Sequence, residues 1–307
     1  MSWTNIDYMK YAKTWIGISI VLTLASLIIV LTVGFNKGID FTGGNLYDMQ
    51  FEKAVTSQQV TDVVAKSIGT APVVQNAAVT GPQSAGAEFL IRTRELSKDD
   101  RDKMVKDLEG ISKFKLISED QVSATISKEL TTKAALAVAV AAVLQIIYLW
   151  FRFELKFGVT AVVALLHDIL ITVGAVSLFH IQINSAFVAA LLTILGYSIN
   201  DTVIVFDRIR ENLAQKKKGE SLTDLTTRAI QETITRSIYT VLTVLITLAA
   251  MLIWGGGAIR DFAMSLFIGI ASGMYSSIFI AAALWLMWQK SENDRKRVAP
   301  GSKPVRA

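Results

Sequence analysis

Six apolar stretches, Trp15–Phe35, Ala134–Phe151, Phe157–Phe179, Ser185–Phe206, Ile238–Trp254 and Phe262–Trp288, constrain this chain more than any other feature. Each approaches the ~20 residues that a helix needs to cross roughly 30 Å of hydrocarbon. With 52% hydrophobic residues and only 4 prolines among 307, the composition excludes an ordinary soluble domain. The reading is a polytopic α-helical membrane protein with six transmembrane helices. The first stretch is too long for a signal-peptide core and lacks a convincing cleavage site, so it reads as a retained helix.

Between the first and second spans, residues 36–133 have the composition of a soluble domain. Leu46–Phe51, Val73–Val79, Glu88–Thr93 and Phe114–Ser118 read as strands. A helix capped by Ser57 carries Val60, Val63, Val64 and Ile68 at helical spacing, and a second helix starts from a Ser97/Asp100 capping box and runs to Leu108. Gly81-Pro82 signals the turn between the middle strands. The order β-α-β-β-α-β predicts a ferredoxin-like α+β fold. The chain then divides into residues 1–35, with the N-terminus and helix 1; the domain 36–133; a five-helix region 134–290 with a loop at 207–236; and a basic tail at 291–307.

Net charge is +5, and its placement favours lipid over nucleic acid as the partner. Arg152, Lys156, Arg208, Arg210, Lys216–Lys218, Arg228, Lys290 and Arg295–Arg297 fall on one side of the six-span topology, whereas the opposite short connections carry only Arg260. The positive-inside rule puts both termini in the cytoplasm and the 36–133 domain outside. Leu222, Leu225, Ala229, Ile230 and Ile234 predict an amphipathic helix on the membrane surface before the fifth span.

Ionisable groups inside apolar spans are costly, and they mark candidate sites. Asp201, beside Asn200 in the fourth span, reads either as a proton-responsive carboxylate or as a structural hydrogen-bonding group. Arg236, at the start of the fifth span, reads as its electrostatic partner or as an arginine snorkelling to lipid phosphates. Asp168, next to His167 in the third span, either extends a proton path or bonds helix to helix. Two histidines and no cysteine leave little for a metal centre, and none is expected. Ser265, Gly269, Gly273, Ser277 and Ala281 form a small-residue stripe for close helix packing. Asp207 and Arg208 belong to a charged run at the end of the fourth span. The chain lacks a phosphate-binding GxxxxGK[ST] loop, HExxH and GxSxG, so neither an enzyme nor a cofactor is expected.

Three segments resemble the SecD/SecF family of the bacterial protein-export machinery, within the resistance-nodulation-division superfamily. Gly38-Ile39-Asp40-Phe41-Thr42-Gly43-Gly44 resembles its GxDFxGG signature; GYSINDTVIVFDRIREN, from Gly196 to Asn212, resembles its fourth-helix signature; and Ile259–Phe279 resembles its sixth-helix region. The resemblance implies a SecF-type subunit in the bacterial plasma membrane. It would work with SecD, using the proton-motive force to help polypeptides through the SecYEG channel after SecA-driven insertion, with YajC as a further associate. It also implies that Asp201 is the proton-responsive acid and Arg236 its partner. One departure is Val122–Ser127, where the family often has a VGPxxG-like segment; losing Gly and Pro there would stiffen or reshape a hinge. Two other functions compete with this one, a proton-coupled small-molecule exporter of the same superfamily and a structural membrane scaffold.

Overall fold

A computed structural model describes residues 6–77 and 87–298. The Gly81-Pro82 turn signal and the last nine residues of the basic tail lie outside this range. A 3₁₀ turn, Tyr8–Tyr11, leads into α1 (Ala12–Val33), and a single short turn, α2 (Ile39–Thr42), precedes the external domain. That domain contains β1 (Gly44–Phe51), α3 (Ser57–Ile68), β2 (Val73–Ala77), β3 (Glu88–Thr93), α4 (Lys98–Glu109) and β4 (Phe114–Val122). Its antiparallel sheet has the order β2-β3-β1-β4, as the β-α-β-β-α-β reading requires.

Alternation along the strands explains the domain core. Tyr47, Met49, Phe51, Phe89 and Ile91 point to one face, where Val60, Val64 and Ile68 of α3 and Met104 and Leu108 of α4 cover them. The cap of α3 is Thr56 rather than Ser57. Thr56 Oγ1 accepts from Gln59 N at 3.2 Å, and Gln59 Oε1 accepts from Thr56 N at 2.9 Å. Only Thr56 has a glutamine three residues on, so only it completes the reciprocal pair. Ser97 does cap α4, but Asp100 accepts from Arg94 instead of closing a box.

On the other face of the sheet, the carboxyl groups of Asp48 and Glu88 lie close enough to act on each other. Burial raises both carboxyl pKa values, and the Asp48 charge raises that of Glu88 further. The unfolded chain therefore ionises these groups first as pH rises. The pair favours the folded domain most at low pH, and that advantage is lost as pH climbs through the raised folded values. Asp48→Asn should slow hydrogen exchange at β1 and β3 amides in the full chain at neutral pH and flatten its pH dependence; an unchanged pH slope would contradict this origin.

Beyond the domain, Ser123 caps α5 (Ala124–Arg152) by accepting from Ile126 N. Segment 122–127 is therefore a strand end followed directly by a helix start. The other spans are α6 (Leu155–Leu178), α7 (Ser185–Ala214), α8 (Leu222–Trp254) and α9 (Gly257–Ser276), which continues through a π turn at Ser277–Ala281 into α10 (Ala282–Val298). Six helical segments among the described residues are long and apolar enough to cross a membrane. In their most apolar stretches, half or more of the α6 and α9–α10 spans is buried within the chain, against 6% for α5, 11% for the α1 span and 17% for α8, so the membrane-spanning parts of α1, α5 and α8 lie on the outside.

The expected surface helix differs. Residues 222–254 form one unbroken helix, and Leu225, Ala229, Ile230 and Ile234 are buried in a cluster with Tyr8, Met9, Ile209 and Trp285. Met9 N and Asp7 both bond Thr227. Helical spacing identifies an apolar face but not its cover, which here is a turn more than 200 residues away in sequence.

Candidate functional site

Small residues bring α7 and α9 together. A Cβ at Gly269 would lie 2.2 Å from Ile194 Cδ1, and one at Gly273 would lie 3.2 Å from Ser198 Cβ, so glycine permits this approach. Gly196, in contrast, has open space at its Cβ position.

Close packing places two carboxylates in different surroundings. Asp168, near the middle of α6, is fully buried. Its Oδ2 accepts from Ser198 at 2.7 Å and Ser276 at 2.6 Å, and its Oδ1 accepts from Ser272 at 2.7 Å and lies 3.1 Å from His167 Nδ1. One side chain thus ties α6 to both α7 and α9. His167 Nε2 is buried without a hydrogen-bond partner among the described residues.

Asp201 lies 16 residues into α7, about 24 Å from its first residue at 1.5 Å per residue. It is 6% exposed. Oδ1 accepts from Ser237 Oγ of α8 at 2.7 Å, while Oδ2 is buried with no partner among the described residues. The carboxylate borders a cavity of ≈ 10 Å³, about one water, together with Ser198, Asn200, Thr240 and Gly273. Thr202, one turn from Ser198, bonds Ser277 at 2.8 Å. Asp201 therefore keeps an unused acceptor beside room for a water, whereas Asp168 has all its surroundings filled. That difference suits a group that exchanges a proton.

Arg236 and Asn200 are exposed on the outer surface of α8 and α7. Arg236 forms no ion pair with Asp201 among the described residues; its neighbour Ser237 supplies the contact instead. Tyr197, Asn200, Arg236, Tyr239 and Thr240 are all exposed there, forming a polar surface on spans otherwise suited to lipid. At the far end of α7, Asp207 binds Arg152 at 2.5 Å and Arg210 at 3.1 Å, and Arg208 lies 3.3 Å from Glu211 and 3.7 Å from Glu232. These pairs are a third to a half exposed and contribute little each.

The GxDFxGG segment lies at the opposite end, where α1, the external domain and the α6–α7 connection meet. Gly38 N donates to Ile183 O at 2.8 Å, and Asp40 Oδ2 accepts from Ser185 N at 2.7 Å. Phe41 and Gly43 close the short α2 turn against Gly38 and Ile39. Gly44 has φ +115°, and a Cβ there would lie 2.1 Å from Thr93 O. The sequence alone does not single out Ser237, Ser272 or Ser276, which reach Asp201 and Asp168. Ser272 and Ser276, four apart beside the small-residue stripe, were the available signal.

Residues 102–291 match the family model of the protein export membrane protein SecD/SecF C-terminal region, and residues 28–55 match the SecD/SecF GG motif. The chain is 36% identical over 300 residues to protein translocase subunit SecF of Sebaldella termitidis, covering 97% of each chain. It is 38% identical over 287 residues to SecF of Acidaminococcus fermentans, covering 93% of this chain and 98% of that one. Protein translocase subunit SecDF of Bacillus subtilis is 36% identical over 300 residues, with 93% of this chain spanning 38% of that protein. The crystal structure of SecDF from Thermus thermophilus, described as a translocon-associated membrane protein, superposes with a TM-score of 0.85 at 33% identity, over 94% of this chain and 40% of that one.

Proposed function

Because the chain belongs to the SecD/SecF family of protein-export membrane proteins and is a multi-pass Sec translocation subunit, we propose that it forms one half of a proton-driven pair in which Asp201 takes up and releases the proton. The observation carrying this reading is the half-satisfied Asp201 carboxylate beneath a polar, partner-ready face. An exposed arginine within a span calls for a counter-charge, and among the described residues no ion pair supplies one to Arg236, on which Asp201 acts only as a nearby charge. A SecD-type bundle laid against α7 and α8 would do so and would cover Tyr197, Asn200 and Tyr239. The fused SecDF relatives, of which this chain spans 38–40%, support that arrangement. Protonation of Asp201 would change the field at Arg236, whose own charge persists. One proton falling through 100 mV supplies about 2.3 kcal/mol, so no nucleotide is required of this subunit.

In this reading the domain faces outward from a bacterial plasma membrane, both termini are cytoplasmic, and the subunit aids polypeptide passage through the SecYEG channel without catalysing a reaction. The basic residues gathered opposite the domain support that orientation. The test is precursor export into sealed vesicles containing the channel and its motor, with SecD alone, this chain alone, or both. Gradient-stimulated export with the pair only is the expected outcome. Equal export without SecD would remove the pairing, and small-compound efflux by this chain alone would favour the exporter.

A further inference from the structure

The external domain is held to the membrane helices by more than its two chain connections. After α1, residues 36–38 run beside the α6–α7 connection, with Lys37 bridging Ile183. Ile183 N donates to Asn36 O at 2.9 Å. Asp40 then accepts the Ser185 N–H at the start of α7, where Asn184 caps Phe187 N at 3.0 Å. A Cβ at Gly38 would lie 2.5 Å from Gln182 Nε2, the end of a flexible side chain that a larger residue there would push aside.

From the domain side, Arg92 of β3 reaches into the same junction. Its Nη1 donates to Lys37 O at 2.6 Å, and its Nη2 donates to Asn36 Oδ1 at 2.6 Å and Gln75 Oε1 at 3.0 Å. Asn36 passes the connection on by donating to His180 O at 2.7 Å. Arg92 is 7% exposed, and the Asp261 charge on α9, whose carboxylate accepts from Gln182 N at 3.1 Å, acts on it. Next to this polar junction is a cavity of about 320 Å³ bordered by Gln75, Leu90, Phe179, His180 and Asp261. Apolar packing therefore does not fill the gap between the sheet and the helix ends; named hydrogen bonds cross it.

We infer that Asp40 and Arg92 are positioning residues that latch the external domain to the start of α7, so that the domain follows the helix whose far half carries Asp201. This rests on the proposed role of Asp201. In it, movement of α7 reaches the domain through Asp40–Ser185 and the Asn36–Ile183 bridge, a third attachment besides α1 and α5.

The full chain has no cysteine, which makes a covalent replacement of the latch clean. The Gly38 Cβ position is 3.2 Å from Asn184 Cβ, so the two need to part by about 0.6 Å to reach the usual ~3.8 Å of a disulfide. Asp40→Ala should raise amide exchange at Ser185–Phe187 roughly fivefold, the loss of one helix cap, and abolish gradient-driven export while β1 and β3 stay protected. Asp40→Asn keeps an acceptor oxygen and should preserve both. Adding Gly38→Cys and Asn184→Cys to Asp40→Ala should restore export when oxidised and lose it again on reduction; exchange at Ser185–Phe187 is not the readout for this variant, because Asn184→Cys itself removes the cap on Phe187 N.

Wild-type export by Asp40→Ala, or no restoration once the disulfide has formed, would overturn the latch, as would loss of export in Asp40→Asn. Should the wild-type chain itself show no gradient-driven export, the reading of Asp201 fails. The latch is then judged by exchange alone, with unchanged exchange in Asp40→Ala overturning it. If Asp40→Ala does not fold, Arg92→Gln takes its place: it removes the donors to Lys37 O and Asn36 Oδ1, so exchange should rise at Ile183, whose N–H bonds Asn36 O, with loss of gradient-driven export; wild-type export with unchanged Ile183 exchange would overturn the latch.

Discussion

Asp201→Asn should leave the six-helix bundle assembled and, on the proposed role of Asp201, remove the gradient-driven share of export. Asparagine has the shape of aspartate, and its Oδ1 still accepts from Ser237, the one side-chain hydrogen bond at this carboxylate. It cannot take up a proton at neutral pH, so the field at Arg236 no longer responds to the gradient. The energy withdrawn is that of the coupled charge, about 2.3 kcal/mol per 100 mV, which sets a limit of roughly fiftyfold on the lost driving force. Export measured with and without an imposed gradient, at matched membrane abundance, should show only the gradient-independent level in the variant. Undiminished gradient stimulation would leave Asp201 a structural residue.

Asp168→Ala has its largest effect on stability. Three serine hydroxyls from α7 and α9 converge on this one fully buried side chain, and alanine removes the acceptor they share, leaving Ser276 only its longer bond to Gly273 O. Hydrogen bonds between membrane helices average about 0.6 kcal/mol and reach about 1.7, so the loss is on the order of 2–5 kcal/mol. Thermal unfolding of the purified chain should shift down clearly for Asp168→Ala and much less for Asp168→Asn, which keeps one acceptor and offers its amide to a serine oxygen. Equal shifts for the two variants would remove the hub role. A stable Asp168→Asn protein without gradient-driven export would instead make Asp168 part of the proton path.

The periodicities made much of this fold legible. Alternation in Leu46–Phe51 and Glu88–Thr93 and helical spacing in Val60–Ile68 give the domain, because each pattern has one face covered by residues close in sequence. The start of α8 was harder to read. The spacing of Leu225, Ala229, Ile230 and Ile234 is the same whether lipid or protein covers it, and the cover is Tyr8 and Met9.

Of the site, Asp201 and Asp168 stand out because charge within an apolar run is costly wherever it lies. What separates them was not legible, since it depends on which serines on other helices reach each carboxylate. Ser237, adjacent to Arg236, takes the contact with Asp201, because one step along a helix turns a side chain by about 100°. For Asp40 and Arg92 the same limit applies: Lys37, Asn36 and Ser185, the partners that tie them across the junction, lie 55 to 145 residues away.

In the proposed role of Asp201, protons enter through it as polypeptide leaves. Its most direct test is proton entry into sealed vesicles, read by an enclosed pH dye, with the channel, SecD and a translocating precursor present. The wild-type chain should speed the decay of an imposed pH gradient in step with export, and Asp201→Asn should match vesicles lacking the chain. Equal proton entry through wild type and variant would contradict the account.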